Sequence, residues 1–213
     1  KKTKGIILES EGRNTAPAIA LAALHELNNN HDSILLVLSA DHIIKDINSF
    51  HQSIEIAKDL AEKDKLVTFG ILPNKPETAY GYIQVKKKVD FKDLENLHKV
   101  KIFAEKPDLQ MANIFIESGE FFWNSGIFIW SLPAIIEAFD THLQNVSSLF
   151  QSGMKLYNTD DEVHFISKIY SEMPSISIDY GIMEKARNVY VLTADFDTTI
   201  SPEKCFEKLE RVK

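Results

Sequence analysis

Apolar positions in this chain recur with two periods, one typical of buried strands and the other of helices. A continuous apolar run at 33–38 (SILLVL) has the length of a strand covered on both faces of a parallel sheet, and 65–71 (KLVTFGI) and 189–193 (VYVLT) are further predicted strands. Helical spacing follows Thr15, and again follows Asp46. Strands that alternate with helices predict an α/β fold with a mixed, mostly parallel sheet flanked by helices.

Shorter segments complete this sheet. Residues 5–8 (GIIL) and 100–105 are further predicted strands, and the aromatic run 121–131 (FFWNSGIFIWS) is another. Ile83 and Val85 alternate with polar neighbours, which predicts a half-exposed strand and therefore an antiparallel insertion in the sheet.

Polar residues that accept hydrogen bonds from free helical amides mark the expected helix starts. Asp46, Asp108, Ser131 and Ser177 each precede a segment with helical spacing. Residues 142–173 have a helical pattern throughout. The chain contains no internal repeat and no long linker, so we expect one domain, 1–213, with this helical segment inside it.

Composition and charge narrow the class of protein. With 24 Lys and Arg against 31 Asp and Glu, the net charge of −7 argues against nucleic acid as a partner. No apolar run reaches the roughly 20 residues of a membrane span, and the N-terminal residues lack the pattern of a signal peptide. The single cysteine, Cys205, agrees with a reducing compartment. We therefore expect a cytoplasmic protein with no membrane partner.

Polar residues follow the apolar run 33–38 directly, as SADH at 39–42. Ligands of open α/β sheets bind beyond the carboxyl ends of the strands, so Asp41 and His42 lie where chemistry is expected. Asp41 is the best metal candidate, because Mg²⁺ prefers carboxylate oxygens. On position alone, Asp41 is equally suited to cap the helix that follows. His42 is weaker, since no second His or Cys lies at metal-ligand spacing.

Three further places carry candidate ligand-binding groups. Glu105 and Lys106 are suited to bind sugar hydroxyls and a phosphate, although charged pairs at strand ends are more often solvated. Arg13 precedes a helix N-terminus, where a cation and free amides together bind anions; the alternative is a surface arginine. Asn124 and Gly126 interrupt an aromatic strand and predict the floor of a small-molecule site, because glycine admits a ligand close to the backbone.

Nucleophilic catalysis is not indicated. Ser39 and Ser125 lack an elbow motif and a recognisable base partner, and Cys205 lacks a convincing setting. The sequence contains neither a dinucleotide-binding glycine motif nor a P-loop motif.

Six ordered motifs give a more specific signal than any one of them. The chain contains, in order, RNTAPAIALAAL, VLSADHII, GILPNKPETAYGYI, FAEKPD, WNSGIFIW and SIDYGIMEKARNVYVL. Their order and approximate spacing resemble those of the mannose-1-phosphate guanylyltransferase family, over about residues 9–196.

This resemblance implies a Rossmann-like nucleotide-diphospho-sugar transferase core. It implies that mannose 1-phosphate and GTP are the substrates, that GDP-mannose and pyrophosphate are the products, and that Mg²⁺ is required. Asp41 resembles the family's first metal ligand and is expected to act in catalysis with Lys106. Substrate-binding residues are expected near the base at Asn14, Thr15 and Ala16, around the sugar phosphate at Gly81, Glu105, Asn124 and Gly126, and additionally at Arg13 and Tyr82.

The chain departs from the family pattern at three places. The given sequence starts downstream of the family's first strand and glycine-rich loop, Ala79 stands where a glycine is expected, and the sequence after Phe196 lacks the family's second metal ligand. We therefore expect an N-terminally truncated catalytic domain that does not form GDP-mannose from GTP by itself.

Two alternatives stay open. The first is a nucleotidyltransferase for another sugar 1-phosphate, with UTP or dTTP as the nucleotide. The second is a non-catalytic homologue that binds a sugar phosphate or a partner subunit. The sequence is compatible with a homo-oligomer but does not fix the oligomeric state.

Overall fold

A computed structural model describes residues 5–27, 29–40, 42–86, 96–104, 106–193 and 196, together with the backbone of 198–200. The chain divides into two compact units, each built from two stretches. Lys1–Ser33 and Ser131–Arg187 make up the helical unit, and Ile34–Trp130 and Asn188–Lys213 make up the sheet unit. The expectation of a single domain stays a prediction.

The described helices and strands alternate along much of the chain. In order, they are α1 (Thr15–Leu27), β1 (Ile34–Val37), β2 (His42–Ile44), α2 (Ile47–Ala61), β3 (Leu66–Ile71), β4 (Tyr82–Val85), β5 (Leu97–Ala104), α3 (Leu109–Ser118), β6 (Phe121–Ser131), α4 (Leu132–His142), α5 (Gln144–Gln151), α6 (Glu162–Glu172), a π-helical turn (Asp179–Met183), β7 (Val189–Thr193) and β8 (Thr198–Ile200). Among the described residues, no helix is both long enough and apolar enough to cross a membrane.

Six of these strands form the main sheet of the sheet unit, in the order β1-β6-β3-β7-β5-β4. The long strand β6 also pairs with β4, with Tyr82 opposite Trp123 and Gln84 opposite Phe121. β2 and β8 form a separate antiparallel pair. Strand β6 therefore pairs with both β3 and β4. Asn124 and Gly126, which are predicted to interrupt an aromatic strand, lie inside β6.

The strand directions differ from the prediction. Among the described registers of the main sheet, β3 and β7 run parallel, whereas β3–β6, β4–β5, β4–β6 and β5–β7 are antiparallel. The α/β class and the mixed sheet are confirmed, but "mostly parallel" is wrong for these pairings. A continuous apolar run reports burial on both faces, as in β3 with its buried Leu66, Val67 and Phe69, and carries no information about strand direction.

Two apolar runs are more exposed than their sequences suggest. β1 lies at one end of the strand order, and Leu36 is 36% exposed, so β1 is not covered on both faces as predicted. Residues 5–8 form no strand, and Ile6 and Leu8 are 81% and 77% exposed. An apolar run becomes a strand only where a neighbouring strand supplies its hydrogen bonds.

Helix α2 covers the main sheet and begins where the sequence predicts. The hydroxyl and the backbone amide of Ser49 both donate to the side chain of Asp46, and these hydrogen bonds lower the pKa of Asp46. The side chain that caps this helix is therefore that of Asp46, and Asp41, the alternative cap, lies outside the described residues. The apolar face of α2 packs into one cluster with the sheet, and burial of each large side chain stabilises the fold by roughly 1.5–3 kcal/mol. Its fully or nearly buried members include Phe50, Ala57, Leu60, Ala61, Val67, Phe69, Ile127, Ile129 and Leu192.

A second, smaller cluster lies under α3. Asp108 caps this helix as predicted, by accepting a hydrogen bond from Met111 N at 2.8 Å. Ala112 is the buried residue of α3, and it packs with Tyr82 and Trp123 at the end of the sheet where β4 and β6 pair.

The helical unit has α1 packed against α4 and α5. Ser131 caps α4 as predicted, at 3.3 Å from Ala134 N. The predicted helical segment 142–173 is confirmed in part, because turns at 152–161 separate α5 from α6. The helix expected after Ser177 is a five-residue π-helical turn, and Ser177 Oγ accepts from Tyr180 N at 3.3 Å.

Candidate functional site

Strand β6 bulges away from β3 at the predicted pocket floor. Thr68 of β3 lies opposite Phe128, and Gly70 lies opposite Asn124. Two steps along β3 therefore correspond to four steps along β6, and the extra residues of β6 project from the ladder. Gly126 lies in this bulge with φ of 67°, a left-handed conformation that glycine adopts without steric cost.

Short-range hydrogen bonds hold the bulge together. Asn124 Oδ1 accepts from Gly126 N at 3.2 Å, and Ser125 Oγ accepts from Ile127 N at 3.2 Å. Thr68, on the neighbouring strand, donates from its hydroxyl to the carbonyl of Ile127 at 3.0 Å. These bonds satisfy the amides that leave the ladder, so the bulge is a built turn and not a loose segment.

Gly81 lies directly beside this bulge. Its carbonyl accepts from Asn124 N at 2.8 Å. A side chain at Gly81 would lie 3.7 Å from Asn124 Cβ and 4.0 Å from Asn124 Nδ2. The missing side chain therefore leaves space next to the carboxamide NH₂ of Asn124, and the structure brings together two residues predicted to bind the sugar phosphate.

Ser39 brings the end of β1 to the same bulge. A Cβ atom at Gly126 would lie 3.5 Å from Ser39 Oγ. Asp41 follows Ser39 by two residues, but Asp41 lies outside the described residues. The described part of the site thus ends where the predicted metal ligand begins.

The loop before Gly81 is held by its own side chains. Lys75 Nζ lies 2.9 Å from Glu77 Oε2, and Glu77 Oε1 accepts from Ala79 N at 3.3 Å. The hydrogen bond between Lys75 and Glu77 raises the pKa of Lys75 and lowers the pKa of Glu77. These contacts restrain the proline-containing loop that leads to Gly81.

Tyr82, a predicted substrate-binding residue, lies in the core beside this loop. Its side chain is fully buried, its hydroxyl donates to the carbonyl of Glu77 at 2.8 Å, and its ring packs against Phe115. The side chain of Tyr82 thus belongs to the core, where it fixes the loop that precedes Gly81, and the substrate contact of this residue stays a prediction.

The strand end at 105–106 is described in part. Glu105 lies outside the described residues, and Lys106 is exposed in the bend that leads from β5 to α3. An exposed ammonium near this strand end is free of the core, as a phosphate-binding lysine requires.

The residues predicted near the nucleotide base lie in the helical unit. Asn14 has φ of 66°, and its Oδ1 accepts from Thr15 N at 2.8 Å. Ala16 is buried, and its N–H donates to the carbonyl of Ile176 at 3.1 Å. Thr15 Oγ1 accepts from Ile178 N at 2.9 Å. These bonds join the start of α1 to segment 176–178.

Arg13 does not stand beside a row of free amides as predicted. Its guanidinium pairs with Glu11 Oε2 at 2.7 Å, and the amides of Thr15 and Ala16 already have acceptors. Its Nε is buried with no acceptor among the described residues. The free-amide part of the anion-site prediction is therefore corrected, because the first amides of α1 are used inside the protein.

A cavity of about 550 Å³ also lies within the helical unit. Its wall includes Leu21, Val163 and Ile166, with His25 and Glu162 paired at 2.9 Å. The described wall of this cavity contains none of the substrate- or metal-binding residues predicted from the sequence.

Metal binding has no complete ligand set in the described part of the chain. Within those residues, no three His, Cys, Asp or Glu side chains lie close enough to hold an ion. The carboxylate predicted as metal ligand, Asp41, lies outside them, as does Glu105. The fit of Mg²⁺ to the site therefore rests on the sequence.

The sequence did not identify Thr68 and Ser39 as members of this site. Thr68 is a single hydroxyl in the otherwise apolar run LVTFGI, and it is fully buried. A polar residue at a buried strand position needs a hydrogen-bond partner, which is the signal that could have marked it. Ser39 has no nucleophile motif around it in the sequence, whereas the structure places its Oγ beside Gly126 in the bulge.

Comparison with known proteins agrees with this geometry. The family profile described as nucleotidyl transferase matches residues 2–170. A mannose-1-phosphate guanylyltransferase of Escherichia coli is 39% identical over 198 residues, which cover 92% of this chain and 43% of that relative. The chain therefore spans less than half the length of this curated relative.

Two solved structures share the fold. A Thermus thermophilus protein described as mannose-1-phosphate geranyltransferase has a TM-score of 0.79 at 30% identity, over 91% of this chain and 53% of that one. A Helicobacter pylori protein described as mannose-6-phosphate isomerase has a TM-score of 0.74 at 29% identity, over 90% of this chain and 72% of that one.

These matches confirm the α/β nucleotidyltransferase fold and the resemblance carried by the six motifs. The family profile extends over the start of α1, the bulge of β6 and most of the elements between and around them. The chain belongs to the nucleotidyl transferase family.

Proposed function

We propose that this chain supplies the sugar-phosphate side of a mannose-1-phosphate guanylyltransferase. The observation that carries the proposal is the bulge of β6, where Asn124, Gly126 and Gly81 lie together with Ser39. The 39% identity to an E. coli protein of that name supports the choice of substrates. In the reaction, GMP is transferred from GTP to mannose 1-phosphate, and GDP-mannose and pyrophosphate are formed.

The protein groups act by positioning and by charge neutralisation. A phosphate oxygen of mannose 1-phosphate attacks the α-phosphorus of GTP, the bond to the bridging oxygen breaks, and pyrophosphate leaves in line. The NH₂ of Asn124 is a donor suited to a phosphate or hydroxyl oxygen of the sugar phosphate. The ammonium of Lys106 offsets the phosphate charge. No covalent intermediate is needed, which agrees with the absence of a nucleophile motif.

Magnesium is part of the proposal through Asp41. A divalent ion at this carboxylate would bind phosphate oxygens and offset their charge. The test is independent of turnover: Mg²⁺ is expected to strengthen GDP-mannose binding at least several-fold, and Asp41→Asn is expected to remove that dependence. Equal magnesium dependence in the variant would exclude Asp41 as the ligand.

Calorimetric titration of the purified chain tests the substrate assignment. Mannose 1-phosphate is expected to bind saturably and more tightly than glucose 1-phosphate. A preference for glucose 1-phosphate would favour the alternative sugar nucleotidyltransferase, and no saturable binding of any sugar phosphate would favour a non-catalytic interaction module. Mannose 6-phosphate serves as a further competitor, because one structural relative is described as an isomerase of that compound.

Turnover needs a separate assay. GDP-mannose formation from GTP and mannose 1-phosphate is followed by chromatography, with UTP and dTTP in parallel. That the 213-residue chain alone forms no GDP-mannose stays a prediction, and detectable product would contradict it. A cytoplasmic location and a homo-oligomeric state likewise stay predictions from the sequence.

A further inference from the structure

Thr68 is a fully buried hydroxyl in the middle of strand β3. Its neighbours along the strand, Val67 and Phe69, are apolar and equally buried. Burial of a hydroxyl costs free energy unless the group is hydrogen-bonded, so the bonds of Thr68 define its role. Its hydroxyl donates to the carbonyl of Ile127 at 3.0 Å, and its Oγ1 lies 3.5 Å from Asn124 Oδ1.

Both contacts of Thr68 cross from β3 to the bulge of β6. The side-chain bonds that Asn124 and Ser125 make to Gly126 and Ile127 act within the bulge itself and do not attach it to a neighbour. Thr68 stands at the register position from which the bulge departs, opposite Phe128. The single hydroxyl proton of Thr68 is donated to Ile127, so Thr68 attaches the bulge to β3 through this hydrogen bond, and its Oγ1 only lies near Asn124 Oδ1.

The orientation of the Asn124 carboxamide follows from its hydrogen bond with Gly126. The amide of Gly126 is a donor only, so the group that faces it at 3.2 Å is the side-chain oxygen of Asn124. Rotation of the carboxamide by 180° would set its NH₂ against the N–H of Gly126, donor against donor. The NH₂ is consequently held on the side of Gly81.

We propose that Thr68 is a positioning residue for sugar-phosphate binding. By pinning the bulge of β6, it holds the NH₂ of Asn124 where a phosphate or hydroxyl oxygen of the ligand accepts from it. The identity of the ligand in this inference rests on the proposed function. The attachment of the bulge to β3 by Thr68 does not depend on that function.

The test compares Thr68→Val, which removes the hydroxyl at nearly constant shape, with Thr68→Ser, which keeps it. Amide hydrogen exchange at Gly126 and Ile127 is measured by NMR without ligand. Thr68→Val is expected to speed exchange at these two amides about fivefold to tenfold, which is the loss of one net hydrogen bond, while Thr68→Ser stays near wild type. Unchanged exchange in Thr68→Val would overturn the proposal. So would an equal increase at Val67 and Phe69, because it would indicate general loosening.

Titration with mannose 1-phosphate is the second arm. Thr68→Val is expected to bind about tenfold more weakly, and Thr68→Ser to restore the affinity. If exchange increases locally but the affinity is unchanged, the positioning role is wrong. If the wild-type chain binds no mannose 1-phosphate, the proposed function fails while the exchange arm still decides whether Thr68 pins the bulge.

Thr68→Cys provides a variant for the case in which Thr68→Val does not fold. Its thiol is a weak donor, so intermediate exchange at Gly126 and intermediate affinity are expected. Wild-type values for both quantities in Thr68→Cys would contradict the proposal.

Discussion

The side-chain oxygen of Asn124 accepts a hydrogen bond from the backbone amide of Gly126 at 3.2 Å. Asn124 thus holds the turn with its side-chain oxygen, and its NH₂ group lies on the side of the space beside Gly81. This division separates what holds the bulge from what is proposed to bind the sugar phosphate, and mutations can test the two functions independently.

Asn124→Asp is expected to weaken binding without unfolding the bulge. Aspartate retains an acceptor for Gly126 N–H, but it replaces the NH₂ donor with a second carboxylate oxygen that repels a phosphate. The dissociation constant for mannose 1-phosphate is expected to rise at least about tenfold, and the melting temperature is expected to change little. Titration calorimetry and differential scanning fluorimetry measure the two quantities.

Asn113→Asp is the matched control for this change. Asn113 is exposed on α3, where its Nδ2 donates to the carbonyl of Leu109. The substitution Asn113→Asp makes the same change in charge at a position away from the bulge. Equal loss of affinity in the two variants would show that net charge, and not the donor at Asn124, is responsible.

Gly126→Ala and Gly119→Ala separate backbone strain from function. Both glycines have left-handed φ angles, 67° and 65°, so alanine is expected to cost about 1–2 kcal/mol of unfolding free energy at either position. Gly119 ends α3 with nothing within 4 Å of an added Cβ, whereas a Cβ at Gly126 would lie 3.5 Å from Ser39 Oγ. Only Gly126→Ala is expected to weaken mannose 1-phosphate binding; a matching loss in Gly119→Ala would remove the case for a specific role of Gly126.

Gly81→Ala is expected to reduce affinity while leaving stability unchanged. A Cβ at Gly81 meets its nearest atoms at 3.6 to 4.0 Å, which is ordinary van der Waals contact, so the fold accommodates it. The same methyl group occupies the space beside Asn124 Nδ2, where the ligand is expected.

Gly70→Ala is expected to reduce stability instead. A Cβ at Gly70 would lie 2.7 Å from Val191 Cγ2, and overpacking of this kind costs about 1–3 kcal/mol of unfolding free energy.

Chemical denaturation and titration of both variants decide between these roles. A destabilised Gly81→Ala with unchanged affinity would make Gly81 a packing glycine like Gly70.

Much of the fold was predictable because local chemistry determines it. Asp46, Asp108 and Ser131 cap their helices through bonds that span three residues, and such contacts are encoded within the segment itself. The strand 189–193 was likewise predicted with its observed bounds. Strand direction was not predictable in this way, since an antiparallel neighbour and a parallel one bury the same side chains.

The candidate site shows the same division. Asn124 and Gly126 interrupt an apolar strand, and this local pattern located the bulge. Thr68 reaches the bulge from a strand that lies 56 residues away from Asn124 in sequence, and the register that joins them depends on how β3 and β6 pair. The pattern of one sequence does not specify how β3 and β6 pair. The sequence therefore predicted the position of the turn at Asn124 and Gly126, but not the role of Thr68 in holding it.

His98 gives the sheet unit a predicted pH dependence. Its imidazole stacks on Phe122 with ring centroids 5.6 Å apart, and burial lowers the pKa of His98 below its ordinary value. The unfolded chain then binds a proton more readily than the folded chain, so unfolding free energy rises with pH across this range. The contribution of neutral, buried His98 to the unfolding free energy is complete above the unfolded-state pKa of about 6.5, and it is lost progressively as the pH falls below that value.

Melting temperatures between about pH 5 and pH 8 test this dependence in the chain and in His98→Gln. The wild-type melting temperature is expected to fall below about pH 6.5, and the variant is expected to show a shallower fall. Some dependence remains in the variant because burial, together with nearby Lys185, also lowers the pKa of His142. His164→Gln, at an exposed position, controls for the loss of a histidine as such. A variant His98→Gln whose melting temperature falls as steeply as that of the wild type would show that another group sets the pH dependence.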